Sequence, residues 1–224
     1  SHQGLLRNLV VRHGVKTNEL LVNIVTSSED GFDEQAYLDM LLGLKLDNKL
    51  IGVMRTFNDS LADAVINEGV KNLYGRDYYN EEILGLKFKV NAFSFFQTNI
   101  EAVERLYSEA LALIPDLDSK VVYDLYCGTG TISQLMASKA KKVYGIEIVQ
   151  DSVDAAIDNA KMNNIDNCNF ICGDVKAKLD EVTEKPDMIV VDPPRMGMHD
   201  KVVEMLSSYG IEQILYISCN PNTM

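Results

Sequence analysis

The stretch Val121-Val122-Tyr123-Asp124-Leu125-Tyr126-Cys127-Gly128-Thr129-Gly130-Thr131 decides the fold. An apolar run of strand length passes through a Gly-x-Gly turn into the helical pattern of residues 131–138. Gly128 and Gly130 let the backbone turn tightly and come close to a ligand, and the helix that follows offers free N–H groups to a carboxylate or phosphate. A dinucleotide fingerprint places a third glycine at position 133, where this chain has Ser133, so a phosphate-cradling nicotinamide site is disfavoured.

Outward from this turn the strand-helix rhythm continues. Strands are predicted over 121–126, 142–148, 169–172, 188–191 and 213–218, with helices over 131–138, 151–162 and 201–207 between them. Upstream, Val103, Leu106, Tyr107, Ala110 and Ile114 recur at three- and four-residue intervals within 99–114, and Pro115 ends that helix. Five strands alternating with helices predict an α/β fold, a doubly wound, mostly parallel sheet covered on both faces. Residues 1–92 read instead as a smaller, largely antiparallel α/β domain, with strands over 5–12, 20–26 and 50–57 and a helix over 33–44. The expected boundary leaves 93–224 as the parallel domain.

In doubly wound sheets ligands bind outside the carboxyl ends of the strands, at the switch point. Glu147 closes the second strand of the parallel domain, where an acid can take both hydroxyls of a ribose, and Asp174 closes the third after Gly173. A glycine turn, a ribose acid and a third-strand acid at successive strand ends are the arrangement of a class I methyltransferase cofactor site. The fourth strand runs into Asp192-Pro193-Pro194-Arg195, where two prolines stiffen the loop bearing a carboxylate and suit it to hold a planar base. A simple helix-entry turn is the competing reading of that loop. The fifth strand ends in Ile217-Ser218-Cys219-Asn220-Pro221, which puts Cys219 above the same cleft as a candidate nucleophile.

Composition narrows the remaining classes. Apolar residues at 46% and charged residues at 24% are ordinary globular values, and no run is long enough to span a bilayer, so a cytoplasmic protein is expected without a membrane partner. Cys127, Cys168, Cys172 and Cys219 fit no zinc spacing and are expected as reduced thiols; Cys168 and Cys172, on one strand face, are expected as buried small hydrophobes. His2 and His13 have no metal-binding company and are expected at the surface, so no metal is predicted. A net charge of −12 and a pI near 4.7 argue against bulk electrostatic capture of nucleic acid, which requires clustered Lys and Arg.

Taken together, Phe95-Phe96-Gln97-Thr98-Asn99, Asp124-Leu125-Tyr126-Cys127-Gly128-Thr129-Gly130, Gly145-Ile146-Glu147, Asp192-Pro193-Pro194-Arg195 and Ser218-Cys219-Asn220-Pro221 resemble the RNA uracil-5-methyltransferase family over nearly the whole chain. The resemblance implies S-adenosylmethionine as methyl donor and RNA as substrate, with 23S ribosomal RNA ahead of transfer RNA. It implies that Gln97, Tyr126, Gly128, Glu147 and Asp192 line the cofactor and substrate cleft, with Thr131 and Asp174 as weaker carry-overs and Cys219 as the nucleophile. It also implies a general-base glutamate and two further strands beyond the cysteine motif, whereas this sequence runs to Met224, so a fragment is expected. The oligonucleotide-binding barrel and four-cysteine iron–sulfur segment of many family members are not in the sequence either. Two other readings remain open: a methyltransferase acting on an exocyclic amine, which needs no thiol, and a module that binds donor or RNA without turnover.

Overall fold

The structure is a computed structural model and describes residues 4–60, 66–179, 181–194, 197–198 and 200–218. The chain divides into two compact units, Ser1–Glu82 with Phe88–Ser94, and Ile83–Lys87 with Phe95–Met224.

The first unit is built on a four-stranded sheet of β1 (Leu6–Gly14), β2 (Glu19–Thr26), β3 (Lys49–Phe57) and β4 (Gly69–Gly75), in that order. The β1–β2 and β3–β4 pairs are antiparallel, whereas β2 and β3 run parallel because helix α1 (Glu34–Leu42) crosses between them. Asp33 starts that helix by accepting the Ala36 N–H at 2.9 Å. A two-stranded sheet follows, β5 (Tyr78–Ile83) and β6 (Leu86–Asn91), joined through Leu84 and Gly85 at φ +49° and +84°. Strands β4 to β6 are absent from the sequence prediction. In β4 most side chains are exposed, and β5 turns Glu81, 1% exposed, inward among its apolar positions, so neither carries a plain apolar signal. In β6 the alternation of Phe88 and Val90 with Lys87 and Lys89 is present and readable.

Buried polar groups in this unit are tied together. Arg55, 8% exposed, donates to Thr26 Oγ1 and Glu34 Oε1, each at 2.9 Å, and lies between the rings of Phe32 and Phe57. Glu81 accepts the backbone N–H groups of Val15 at 2.6 Å and Lys16 at 3.0 Å, which fastens the β1–β2 turn to β5.

The second unit begins with helix α2 (Ile100–Ala112), capped by Asn99 accepting the Ala102 N–H at 3.0 Å. Then come β7 (Val121–Leu125), α3 (Thr131–Ala137), β8 (Lys142–Glu147), α4 (Gln150–Met162), β9 (Cys168–Cys172), α5 (Val175–Leu179), β10 (Met188–Val191), α6 (Asp200–Ser208) and β11 (Gln213–Tyr216). The five strands are all parallel in the order β11-β10-β7-β8-β9. After β7 the chain moves outward through β8 and β9, then returns to the other side for β10 and β11, so the switch point lies between β7 and β10. Every residue of β7 and β10 is buried, and Tyr123, Leu125, Ile146, Ile189 and Val191 form the centre of the core with Val202 and Leu206 of α6. β9 is an edge strand, which corrects the expectation for Cys168 and Cys172: both are half-buried, because an edge strand is covered on fewer sides.

Candidate active site

The turn after β7 explains its own glycines. Tyr126, Gly128 and Gly130 all have positive φ, at +64°, +54° and +75°. A side chain on Gly130 would meet the Phe170 ring at 2.7 Å and Ala156 at 2.9 Å, so this glycine lets α3 approach β9 and α4 closely. At Gly128 an added Cβ would meet nothing within 4 Å, so the glycine serves backbone conformation and leaves open space beside the turn. Tyr126 adopts left-handed geometry despite its bulk, a strained state of the kind that concentrates at functional sites.

Glu147, at the end of β8, holds this turn in place. Its Oε2 accepts the Gly128 N–H at 3.0 Å and its Oε1 the Val149 N–H at 2.9 Å. A carboxylate has about four acceptor positions, so Glu147 can still accept from a vicinal diol beside Gly128. Thr131 is the first residue of α3 and is half-buried. Asp174 is exposed, and its Oδ1 accepts the N–H groups of Lys176 at 3.1 Å and Ala177 at 3.3 Å, so it caps α5.

Asp192 follows β10 on the other side of β7, is half-buried, and burial pushes its carboxyl up to about 6. Gln97, also half-buried, hydrogen-bonds the hydroxyl of Tyr107 on α2. Burial and the nearby Asp192 charge both push that phenol up. The structure therefore gathers Gln97, Gly128, Glu147 and Asp192 around the switch point. Cys219 and Arg195 lie outside the described residues; the strand that Cys219 follows, β11, pairs with β10.

Two residues at this site carry more than their sequence positions announce. Asp124, inside β7, is 0% exposed, and its Oδ2 accepts the Ser133 hydroxyl at 2.5 Å. Ser133 thus occupies the place of a third glycine with a hydroxyl aimed at a buried acid. Burial, followed by the charges of Asp192 and Glu147, pushes Asp124 up to about 7, against the pull of the Ser133 hydrogen bond. The available signal was an acid interrupting a run otherwise fit for the core. Cys127, beside it, is buried and its thiol pushed well up, by desolvation first, which makes it inert rather than nucleophilic.

Chemically, this set of groups suits a ligand carrying a ribose diol and positive charge: acceptors stand at three adjacent strand ends and open space lies beside Gly128. Among the described residues no group of three or more His, Cys, Asp or Glu could hold a metal ion, and no helix is long and apolar enough to cross a membrane.

Residues 116–223 match the family described as a methyltransferase domain. The chain is 47% identical over 224 residues to an uncharacterized RNA methyltransferase of Clostridium tetani, covering 100% of this chain and 49% of that protein. It is 48% identical over 223 residues to another from Caldanaerobacter subterraneus subsp. tengcongensis, covering 100% of this chain and 50% of that protein. The chain thus spans about half the length of these relatives. Among solved structures, the Pyrococcus abyssi tRNA (uracil-54, C5)-methyltransferase in complex with S-adenosyl-L-homocysteine superposes with a TM-score of 0.79 at 27% identity, covering 99% of this chain and 52% of that one. The parallel-sheet unit has the fold of the class I, Rossmann-like methyltransferases.

Proposed function

We propose that this chain is the donor-binding and nucleophile-bearing part of an enzyme that uses S-adenosylmethionine to methylate carbon 5 of uridine in RNA. The observation that carries the proposal is the placement of Gly128, Glu147, Asp124 and Asp192 at adjacent carboxyl strand ends, in a sequence where Cys219 follows the next strand. Relatives named for RNA methylation, and a neighbour named for carbon-5 methylation of a tRNA uracil and solved with the demethylated donor, support the same reading.

The residues fit the donor. Glu147 would take the ribose hydroxyls, the open side of Gly128 would admit the body of the ligand, and the Asp192 carboxylate would face its positive charge, with the enclosed Asp124 acting on that charge through the protein interior. When bound, the donor supplies an electrophilic methyl group. Carbon 5 of uracil is too weak a nucleophile to take it unaided. Cys219, as thiolate, would bond to carbon 6 and push electron density onto carbon 5, which then accepts the methyl group. A general base must afterwards remove the carbon-5 proton so that the thiolate can leave. On the family resemblance that base is a glutamate following the cysteine motif. Asp192, on its proline-stiffened loop, would orient the uracil ring. Between RNA classes the resemblance favours ribosomal over transfer RNA, and the cytoplasm is the compartment proposed.

Cys219→Ala tests this directly. The wild-type chain, incubated with donor and a uridine-containing transcript, is expected to yield a protein–RNA adduct that survives denaturing electrophoresis, and the variant none. Methyl transfer that persists in the variant would favour an exocyclic-amine enzyme. Competition between ribosomal and transfer RNA transcripts for adduct formation then separates the two substrate classes.

A further inference from the structure

Asp124 has no role in the chemistry just described beyond its charge, yet its surroundings are unusual. It is wholly enclosed, one oxygen accepts from Ser133, and the other, Oδ1, has no hydrogen-bond partner among the described residues. Its strand lies between β8, which ends in Glu147, and β10, which leads into Asp192, so an unsatisfied buried acid stands between two further carboxylates. The other titratable groups whose fields couple to it are Cys127 in the turn, Cys168 on β9 and Tyr107 on α2. Burial raises all three, which keeps them neutral near pH 7. Among the described residues, no cationic side chain acts on Asp124. A buried carboxylate without a cation or a full set of donors is costly, so the protein must protonate it or receive a positive charge from a ligand.

We infer that Asp124 is the proton-exchanging counter-charge for the sulfonium of the methyl donor, protonated while the site lacks a cation and ionised when the donor is bound. This rests on the donor reading above and deepens it. The donor and its demethylated product share the same ribose and amino-acid head group, and differ by the methyl group and the sulfonium charge. Charge on Asp124 therefore distinguishes the two: binding of the donor expels a proton, and loss of the methyl group allows the proton to return, which weakens the hold on product. With Asp124 raised to about 7, donor binding at pH 7 is expected to release on the order of half a proton.

Calorimetric titrations of S-adenosylmethionine and of S-adenosylhomocysteine into this chain, each in phosphate and in Tris at pH 7, read the proton change from the dependence of the heat on buffer. Release should be greater for the methylated donor, and the difference should vanish in Asp124→Asn. Should that variant fail to fold by circular dichroism, the wild-type difference and Ser133→Ala still decide. Loss of the serine donor should move the pH of maximal release upward. Equal release for the two ligands, a difference that survives in Asp124→Asn, or an unmoved Ser133→Ala profile overturns the inference while leaving the cofactor site intact. Absence of binding by either ligand to a folded sample overturns the donor reading, and the inference falls with it.

Discussion

Arg55 in the first unit and Asp124 in the second are both buried ionisable groups, and their surroundings differ in kind. Arg55 has a carboxylate, a hydroxyl and two aromatic faces of its own unit around it. Asp124 has the hydroxyl and backbone N–H of Ser133, an unfilled oxygen and two like charges nearby. The carboxylates follow the same division. Lys71 first and Arg55 second hold Glu34 below the usual carboxylate range; at Glu19 burial pushes upward, but the Asn80 N–H and Arg76 outweigh it. Asp124 and Asp192 stay raised. Self-contained neutralisation marks a scaffold, whereas an uncompensated cluster at strand ends marks a place where a ligand completes the electrostatics.

This contrast can be broken experimentally, beginning with the scaffold. Glu34→Gln should cost the fold about 3 kcal/mol in chemical denaturation, the lower end of the range for a broken buried pair because Glu34 keeps 23% exposure. Donor affinity of the folded variant should not change. A negligible loss would mean that Arg55 does not depend on its partner. Next comes the turn, where Gly130→Ala should cost about 2–3 kcal/mol from its positive φ and the close Phe170 contact. Gly128→Ala, which meets open space, should cost about 1 kcal/mol in stability from φ alone while weakening donor binding measured by titration.

The acid cluster predicts a change of opposite sign. The folded-state value of Asp124, about 7, lies above the ordinary value for an unfolded chain, so its contribution to stability is complete below about pH 4 and is lost as pH rises through 7. Asp124→Asn should therefore raise the stability of the ligand-free protein at pH 8, on the order of 2 kcal/mol, with the gain shrinking towards pH 5. Thermal melts at both pH values check this. A destabilised variant at pH 8 would place Asp124 with the scaffold.

Much of this was legible in the sequence because strand and helix periods are plain wherever one face is buried. The alternation of elements after Pro115, the glycine turn and the acids Glu147 and Asp192 at strand ends could all be read from residue type and spacing. What escaped depends on the third dimension. The parallel β2–β3 pairing leaves no local trace, β4 lacks an apolar face, and the inward Glu81 disguises β5. Ser133 reads only as a missing glycine until α3 brings its hydroxyl to Asp124. Asp174, read from its strand-end position, also caps α5, a local duty its spacing does not distinguish from ligand binding.

We propose that the switch point of the parallel sheet is a methyl-donor site organised by Glu147. Its most direct test is titration of S-adenosylhomocysteine into this chain and into Glu147→Ala, followed by calorimetry with folding checked by circular dichroism. Saturable binding to the wild type that is lost in a folded variant is the predicted result. Equal affinity in the two proteins, or no binding to a folded wild type, would contradict it.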